Sequence, residues 1–189
     1  QGFDSFFGLP YSNDMDPIKT VKRDLDLAFI KNDMSRWNVP LMRNEQIIER
    51  PVHQPTLTQR YTEEAVKFIE DNNENPFFLY LPHTMPHIPI FVSEDFRTDV
   101  PAQAYKRCIE EIDWSVGKVL EAVKRNGIDE NTLVVFTSDN GPWLNLKPPY
   151  YGGSARPLRA GKFTTYEGGM RVPAIARWSA RIPASSNCD

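Results

Sequence analysis

The sequence predicts an α/β fold with a mostly parallel central sheet flanked by helices. After residue 57, short apolar segments of strand length alternate with two long amphipathic helical patterns, and no hairpin signal separates them. This alternation is typical of β-α-β units. A chain of 189 residues with 40% hydrophobic and 25% charged residues has room for one domain with a core. We therefore predict a single domain over residues 1–189.

The predicted strands lie in four parts of the chain. Leu41–Arg43 and Gln46–Glu49 flank an Asn-Glu turn and predict a hairpin. The segment "FFLYL", residues 77–81, is nearly all apolar, as expected of a strand buried on both faces. The segment "LVVF", residues 133–136, predicts another buried strand. Val172–Trp178 is predicted to form a further strand.

Apolar residues at helical spacing predict two helices. The first runs from Thr58 to a polar Asp-Asn-Asn stop at residue 73, and the second from Ala102 to Arg125, followed by Gly127 as a C-terminal cap. The first apolar stripe contains Tyr61, Ala65, Phe68 and Ile69, and the second contains Tyr105, Ile109, Ile112, Val116, Val119 and Val123.

Charge and cysteine content exclude several classes of protein. A net charge of −3 argues against a nucleic-acid binder, and no apolar run approaches the ~20 residues that a membrane-spanning helix needs. Cys108 and Cys188 are too few for a disulfide framework. Cys108 falls on the apolar face of the second helix, so we expect a buried free thiol.

Asp139 and Asn140 directly follow a predicted strand, and two interpretations are open. Asp, Asn and Gly dominate ordinary turns. Alternatively, the carboxylate and the amide carbonyl are hard oxygen ligands that suit Ca²⁺ or Mg²⁺ rather than zinc. Ligands in open α/β sheets bind at the carboxyl ends of strands.

Two of the three histidines, His83 and His87, lie in the segment "HTMPHI", which follows the strand predicted at residues 77–81. They are either loop histidines satisfied by packing, or groups that bind an anion or donate a proton. Pro82, Pro86 and Pro89 stiffen this loop. Adjacent parallel strands would bring the histidines and the Asp-Asn pair to the same edge of the sheet.

A glycine-rich segment with several cations, "GGSARPLRAGKFTTYEGGMRVP", contains five of the ten glycines and Lys162. It is either a solvated surface loop or an anion-binding loop in which glycine lets the backbone approach and lysine supplies charge. Together with a hard-metal site and an imidazole, such a loop could perform sulfuryl or phosphoryl transfer.

Several of these segments, in the same order, resemble the formylglycine-dependent sulfatases, especially their arylsulfatase and N-acetylgalactosamine-6-sulfatase branch. The segments are "GFDSFFGLPYSNDM", "PLMRNEQIIERP", "PFFLYLPHTMPHIPIF", "EEIDWSVGKVLEAV", "NTLVVFTSDNGPW" and "PLRAGKFTTYEGGMRVPAIARW". The resemblance implies part of an alkaline-phosphatase-like sulfatase domain and a sulfate ester as the substrate, either a small molecule or a polysaccharide. It also implies a periplasmic, extracellular or lysosomal location.

The resemblance further implies a role for each candidate residue. Asp139 and Asn140 would be ligands of Ca²⁺, with Mg²⁺ the less favoured ion. Lys162 would bind the sulfate and the leaving oxygen. His87 would contact the sulfate and help to protonate the leaving alcohol, and His83 would lie near the substrate. In addition, Glu167 and Arg171 would form an ion pair or brace the backbone.

The nucleophile of this family is absent from the sequence. The family oxidises a cysteine, in a Cys-x-Pro-x-Arg or similar signature, to formylglycine, whose hydrate attacks sulfur. Here Cys108 is followed by Ile-Glu-Glu-Ile, and the family's paired N-terminal aspartates are also missing. We therefore expect the chain to be an internal piece of a sulfatase, with formylglycine formed on a cysteine or serine outside it, and to be inactive alone.

Two alternatives are open at the level of the sequence. Metal-dependent phosphatases and phosphodiesterases of the same superfamily place Asp-His-Gly where this chain has Asp139-Asn140-Gly141, and the asparagine favours oxygen-bound Ca²⁺ over zinc. The other alternative is a non-catalytic, sulfatase-like binding protein.

Overall fold

The structure is a computed structural model that describes residues 2–20, 30–145 and 152–187. The chain forms two compact units, residues 1–119 and residues 120–189. Both units contain helix and strand, which confirms the α/β class. Cys188 lies outside the described residues.

The first unit contains a small antiparallel sheet in the order β1-β2-β3, formed by Phe7–Gly8, Leu41–Arg43 and Gln46–Glu49. The hairpin between β2 and β3 is confirmed at the predicted residues. Asn44 begins its turn with a φ of +52°, in the left-handed region that asparagine tolerates well. The local turn chemistry is therefore sufficient to place this hairpin.

Helix α1, Leu57–Asn72, confirms the first helical prediction. Tyr61, Ala65 and Ile69 are buried as the apolar spacing predicts. Phe68 is half-buried, and its ring meets that of Phe77 edge to face with 5.5 Å between centroids. The predicted face of α1 is therefore the one that packs into the core.

Helix α2, Ala104–Arg125, follows a 3₁₀ turn at Pro101–Gln103 and ends before Gly127, whose φ of +71° suits the predicted cap. The predicted apolar stripe is only partly correct, because Ile109 is 40% exposed. The buried face is rotated toward smaller and polar side chains, which pack or hydrogen-bond inside the first unit. Its members are Ala104, Cys108, Glu111, Ile112 and Ser115.

The predicted buried thiol is confirmed, since Cys108 is free and 1% exposed. Burial raises the pKa of this thiol well above its usual range, as does the neighbouring Glu111 carboxylate. Cys108 is therefore an inert part of the core rather than a nucleophile.

The histidine-bearing loop is part of the core of the first unit. Met85, Ile90 and Phe91 are each at most 2% exposed. The Phe91 ring meets the buried Trp37 edge to face, with 5.7 Å between centroids. Buried apolar side chains on both sides of His87 therefore anchor the loop in the core of the first unit.

The strand predicted at residues 77–81 does not form. This segment pairs with no strand in the part of the chain that the structure describes, and Phe78 and Tyr80 are 72% and 65% exposed. A strand requires a hydrogen-bonded neighbour, which the local apolar pattern cannot specify. The Phe3 ring stacks on Phe78, with 5.8 Å between centroids.

The second unit contains strands β4, Val134–Thr137, and β5, Ala174–Arg177, at the predicted places. They pair with each other in antiparallel fashion, so the prediction of parallel pairing is wrong among the described residues. Among the described residues between them, no long crossover helix occurs, and the short helix α3, Glu167–Met170, is the helix found there. Neither strand is buried, so the predicted burial of residues 133–136 is wrong: Val135 and Ile175 are 59% and 62% exposed.

Candidate active site

His83 and His87 lie in the first unit, whereas Asp139, Asn140 and Lys162 lie in the second. The single sheet edge predicted for these residues required two neighbouring parallel strands. In the described part of the chain, residues 77–81 are not a strand, and β4 pairs with β5 in antiparallel fashion. Each group of residues is therefore described within its own unit.

His87 is held by a buried pair of amide side chains. Its Nδ1 lies 3.1 Å from Oδ1 of Asn13, which is 0% exposed, and 3.4 Å from Oγ of Ser12. The amide nitrogen of Asn13 donates to Oε1 of Gln54 at 3.0 Å and to the carbonyl of Pro89 at 2.9 Å. Gln54 in turn donates to the backbone carbonyl of Asn13 at 3.1 Å. This network fixes the orientation of the imidazole from one side.

The ring of His83 lies at the end of a hydrogen-bonded chain of hydroxyl groups. Its Nε2 lies 3.3 Å from Oγ of Ser115, which lies 2.6 Å from Oγ1 of Thr62, and Thr62 donates to the carbonyl of Thr58 at 2.6 Å. Burial lowers the pKa of His83 from 6.5 to about 4, so the ring is neutral at pH 7. His83 can therefore take part in hydrogen bonds, but it brings no positive charge to an anion.

A third buried contact fixes the end of the same loop. The backbone N–H of Ser93 donates to Oε2 of Glu111 at 3.2 Å, and burial raises the pKa of this carboxyl group. Buried polar side chains thus hold the loop at both histidines and at its end. Sequence reasoning did not identify them, although a polar residue on the buried face of a helix is a usable signal. They are Asn13, Gln54, Thr62, Glu111 and Ser115.

In the second unit, Asp139 and Asn140 follow β4 as predicted. The Asp139 side chain is exposed, and Asn140 is half-buried. The amide nitrogen of Asn140 donates to the carbonyl of Gly141 at 3.1 Å, and Oγ of Ser138 donates to the carbonyl of Asn140 at 3.0 Å. The side-chain amide of Asn140 is therefore oriented by the backbone. Its side-chain oxygen, Oδ1, has no hydrogen-bond partner among the described residues.

Glycines join the Asp-Asn turn to the lysine loop, and we call this contact, between residues 139–142 and 159–169, the glycine clamp. Gly141 N–H donates to the carbonyl of Gly169 at 3.0 Å, and Lys162 N–H donates to that of Pro142 at 2.9 Å. A Cβ atom on Gly141 would lie 1.8 Å from the carbonyl oxygen of Gly168. These glycines allow two backbones to touch, a different use from the predicted approach of an anion.

Lys162 lies between two residues with left-handed backbone conformations. Ala160 and Phe163 have φ values of +62° and +72°. Such conformations cost roughly 1–2 kcal/mol per residue, so surrounding contacts must hold them. The Lys162 ammonium lies 5.4 Å from the centroid of the Phe163 ring, and this ring is 84% exposed. The clamp therefore presents a lysine with no carboxylate partner among the described residues.

Two further expectations concern the second unit: a metal site at Asp139 and Asn140, and an ion pair between Glu167 and Arg171. No cluster of three or more His, Cys, Asp or Glu side chains that could hold a metal exists in the described part of the chain. Asp139 and Asn140 offer oxygen donors of the type Ca²⁺ prefers, but fewer than the six to eight oxygens it usually takes. Arg171 lies 3.4 Å from the carboxylate of Glu167, which confirms the expected ion pair.

Comparisons with known proteins give a consistent result. The sulfatase family model matches residues 1–187. The chain is 40% identical to N-acetylgalactosamine-6-sulfatase of Mus musculus, covering 97% of this chain and 34% of that protein. It is 39% identical to steryl-sulfatase of Homo sapiens, covering 80% of this chain and 27% of that protein.

Solved structures agree with the sequence comparisons. The crystal structure of the PsFucS1 sulfatase from Pseudoalteromonas sp. matches with a TM-score of 0.71 and 28% identity, covering 94% of this chain and 38% of that one. No helix among the described residues is long and apolar enough to cross a membrane. The chain spans about a third of the length of the first relatives it matches, 34% in the murine case.

Proposed function

The chain belongs to the sulfatase family, and from this premise we propose that it contributes to the hydrolysis of sulfate esters by a sulfuric ester hydrolase. The observation that carries the proposal is the glycine clamp. Backbone hydrogen bonds hold a Ca²⁺-type oxygen pair, Asp139 and Asn140, in the same unit as Lys162. The lysine cation suits a sulfate group, and the hard oxygen ligands suit the metal ion that would accompany it.

Lys162 is proposed to bind the sulfate group and the leaving oxygen. No carboxylate neutralises its ammonium among the described residues, and the clamp fixes its backbone N–H on Pro142. A preorganised cation stabilises negative charge that develops on the leaving oxygen, and this effect is commonly worth several kcal/mol, roughly 10²–10³ in rate.

Asp139 and Asn140 are proposed to hold Ca²⁺, with Mg²⁺ the less favoured ion. The backbone-oriented Asn140 amide and the exposed Asp139 carboxylate fit a hard cation in donor type, and further oxygens must complete the shell. When bound, the ion would supply positive charge to the sulfate oxygens. Formylglycine, expected from the family resemblance, would supply the nucleophile.

His87 is proposed to contact the sulfate and to protonate the leaving alcohol. The ring is half-buried and oriented by Asn13, as a proton donor of fixed direction requires. His83 is proposed to lie near the substrate, where its low pKa makes it a neutral hydrogen-bonding group.

The proposed substrate class is a sulfate ester of a small molecule or of a polysaccharide. Relatives that match most of the chain include an N-acetylgalactosamine-6-sulfatase and an arylsulfatase G. A periplasmic, extracellular or lysosomal location fits such substrates.

Kinetics of lysine variants test this function in the longest form of the protein that can be expressed. We expect Lys162→Ala to lower kcat/KM for an aryl sulfate by roughly 10²-fold or more, because a charge that acts in the transition state is lost. The matched control is Lys67→Ala, which removes an exposed lysine paired with Asp71 and should leave kcat/KM unchanged.

Three outcomes contradict the proposal in different ways. Wild-type kinetics for Lys162→Ala would show that Lys162 is a solvated loop residue without a role in the reaction. Turnover of an aryl phosphate in place of the sulfate would favour the related phosphatases. Tight binding of a sulfated polysaccharide without turnover would favour a sulfatase-like binding protein.

A further inference from the structure

We propose that Asn13 is a positioning residue that fixes the tautomer of His87, so that protons enter and leave this ring only at Nε2. The same unit holds His83 in the opposite tautomer. Both assignments follow from counting donors and acceptors outward from backbone carbonyls, which can only accept hydrogen bonds.

The orientation of the Asn13 amide is determined by its neighbours. One end of the amide lies 2.9 Å from the carbonyl of Pro89 and must be the NH₂ group. The amide of Gln54 is oriented in the same way, because one end lies 3.1 Å from the backbone carbonyl of Asn13. Oε1 of Gln54 therefore accepts the second hydrogen of Asn13, and both NH₂ hydrogens are used.

It follows that Asn13 presents only its carbonyl oxygen to His87. The 3.1 Å contact between this oxygen and Nδ1 is a hydrogen bond only if Nδ1 carries the proton. The hydroxyl of Ser12, at 3.4 Å, can share the same N–H as a second acceptor. The neutral ring therefore has its lone pair on Nε2, which forms no hydrogen bond within the described residues.

The same reasoning gives the opposite result for His83. Thr62 donates its only hydroxyl hydrogen to the carbonyl of Thr58, so it must accept from Ser115. The hydroxyl hydrogen of Ser115 is thereby used, and its oxygen accepts from Nε2–H of His83. Nδ1 of His83 is left as a buried lone pair without a partner.

The consequence for catalysis rests on the proposed function, whereas the tautomers themselves do not. A neutral His87 with its lone pair on Nε2 repels the oxygens of a sulfate group. Addition of a proton at Nε2 gives an imidazolium that donates there while Nδ1–H stays on Asn13. One atom therefore both takes up the proton and delivers it to the leaving oxygen, and Asn13 selects that atom.

Nitrogen NMR of the 189-residue chain tests the tautomers directly. With ¹⁵N-labelled imidazole side chains, long-range proton–nitrogen correlation distinguishes protonated from unprotonated ring nitrogens at neutral pH. Signals are assigned with single His→Gln variants, and His53 serves as a reference for a solvent-exposed ring. We expect protonated Nδ1 in His87 and protonated Nε2 in His83. A protonated Nε2 in neutral His87 would overturn the proposal.

Two reciprocal variants separate positioning from folding. Asn13→Ala should change the tautomer pattern of His87 toward that of His53 and leave His83 unchanged, which also shows that the unit is folded. Ser115→Ala should do the reverse. Should the alanine variant of Asn13 not fold, the wild-type spectrum still decides, because the assignment requires a protonated Nδ1 in neutral His87. An unchanged His87 pattern in folded Asn13→Ala would overturn the assignment.

Kinetics test the positioning role separately. In any form of the protein that turns over an aryl sulfate, Asn13→Ala should lower kcat/KM by roughly tenfold or more, by analogy with other residues that orient a functional histidine. Wild-type kinetics with an altered tautomer would reject the positioning role. Absence of turnover in every form would reject the proposed function and leave the NMR result standing.

Discussion

At the residue scale, burial of His83 couples the stability of the first unit to pH. Its pKa falls from 6.5 in an accessible ring to about 4 in the folded chain. Between pH 6.5 and pH 4 the ring is protonated in the unfolded chain but neutral in the folded chain. The free energy of unfolding is therefore highest above pH 6.5 and falls as the pH is lowered toward 4. Each pKa unit corresponds to about 1.4 kcal/mol, giving a loss of at most about 3 kcal/mol.

Urea unfolding measured between pH 7 and pH 4 should show this loss. We expect His83→Gln to flatten the dependence of the unfolding free energy on pH, because the titrating ring is gone. An equal slope in the wild type and in His83→Gln would contradict the lowered pKa of His83.

Candidate residues were predictable where they form local patterns. Asp139-Asn140 after a strand, and Lys162 among glycines, are visible in the sequence alone. Asn13 is not, because an asparagine in an irregular segment is typical of a turn, and only the distant Gln54 and Pro89 reveal that it is fully buried. Residues that act through non-local hydrogen bonds therefore require the fold.

At the element scale, the glycine clamp predicts a strong asymmetry between two glycines. In Gly141→Ala the new Cβ would lie 1.8 Å from the carbonyl oxygen of Gly168, and backbone must move. Overpacking of this kind costs typically about 1–3 kcal/mol. We therefore expect a lower midpoint of thermal unfolding, and faster hydrogen exchange at the Gly141 and Lys162 amides.

The matched control for this variant is Gly117→Ala in helix α2. Apart from its chain neighbours and the backbone of its own helix, nothing lies within 4 Å of a Cβ built at Gly117. Alanine in a helix interior is favoured over glycine by roughly 0.5–1 kcal/mol, so this variant should be more stable than the wild type. Equal effects of the two substitutions would contradict the packing that defines the clamp.

The elements themselves were predictable to different degrees. Helices α1 and α2 and the β2–β3 hairpin depend on spacing, caps and turns within a few residues, and they form where predicted. Strand pairing depends on partners far along the chain. For that reason β4 and β5 occur at the predicted places but pair in an unpredicted direction, and residues 77–81 remain unpaired among the described strands.

At the scale of the whole molecule, the chain exposes large apolar side chains in both units. Phe78 and Tyr80 in the first unit, and Val135 and Ile175 in the second, are each more than half exposed. Soluble monomers rarely expose apolar patches of more than a few hundred Å². We therefore predict that the 189-residue chain self-associates and binds a hydrophobic dye.

Light scattering coupled to gel filtration over a range of concentrations measures this association. Phe136 and Ile175 lie directly opposite each other in the β4–β5 pair. Threonine at both positions is a β-branched residue that suits a strand, and it removes apolar area, so the double variant should bind less dye and associate less. A strictly monomeric wild-type chain at high concentration would contradict the prediction.

The glycine clamp also bears on how sulfatase loops can be exchanged between proteins. Residues 139–142 and 159–169 touch through main-chain hydrogen bonds and a close backbone approach at Gly141 that leaves no room for a Cβ atom. A chimera that imports the lysine loop without its own Asp-Asn turn must reproduce this backbone fit by chance. Protein engineers who wish to alter specificity in this region should therefore transplant the two segments together, as one cassette.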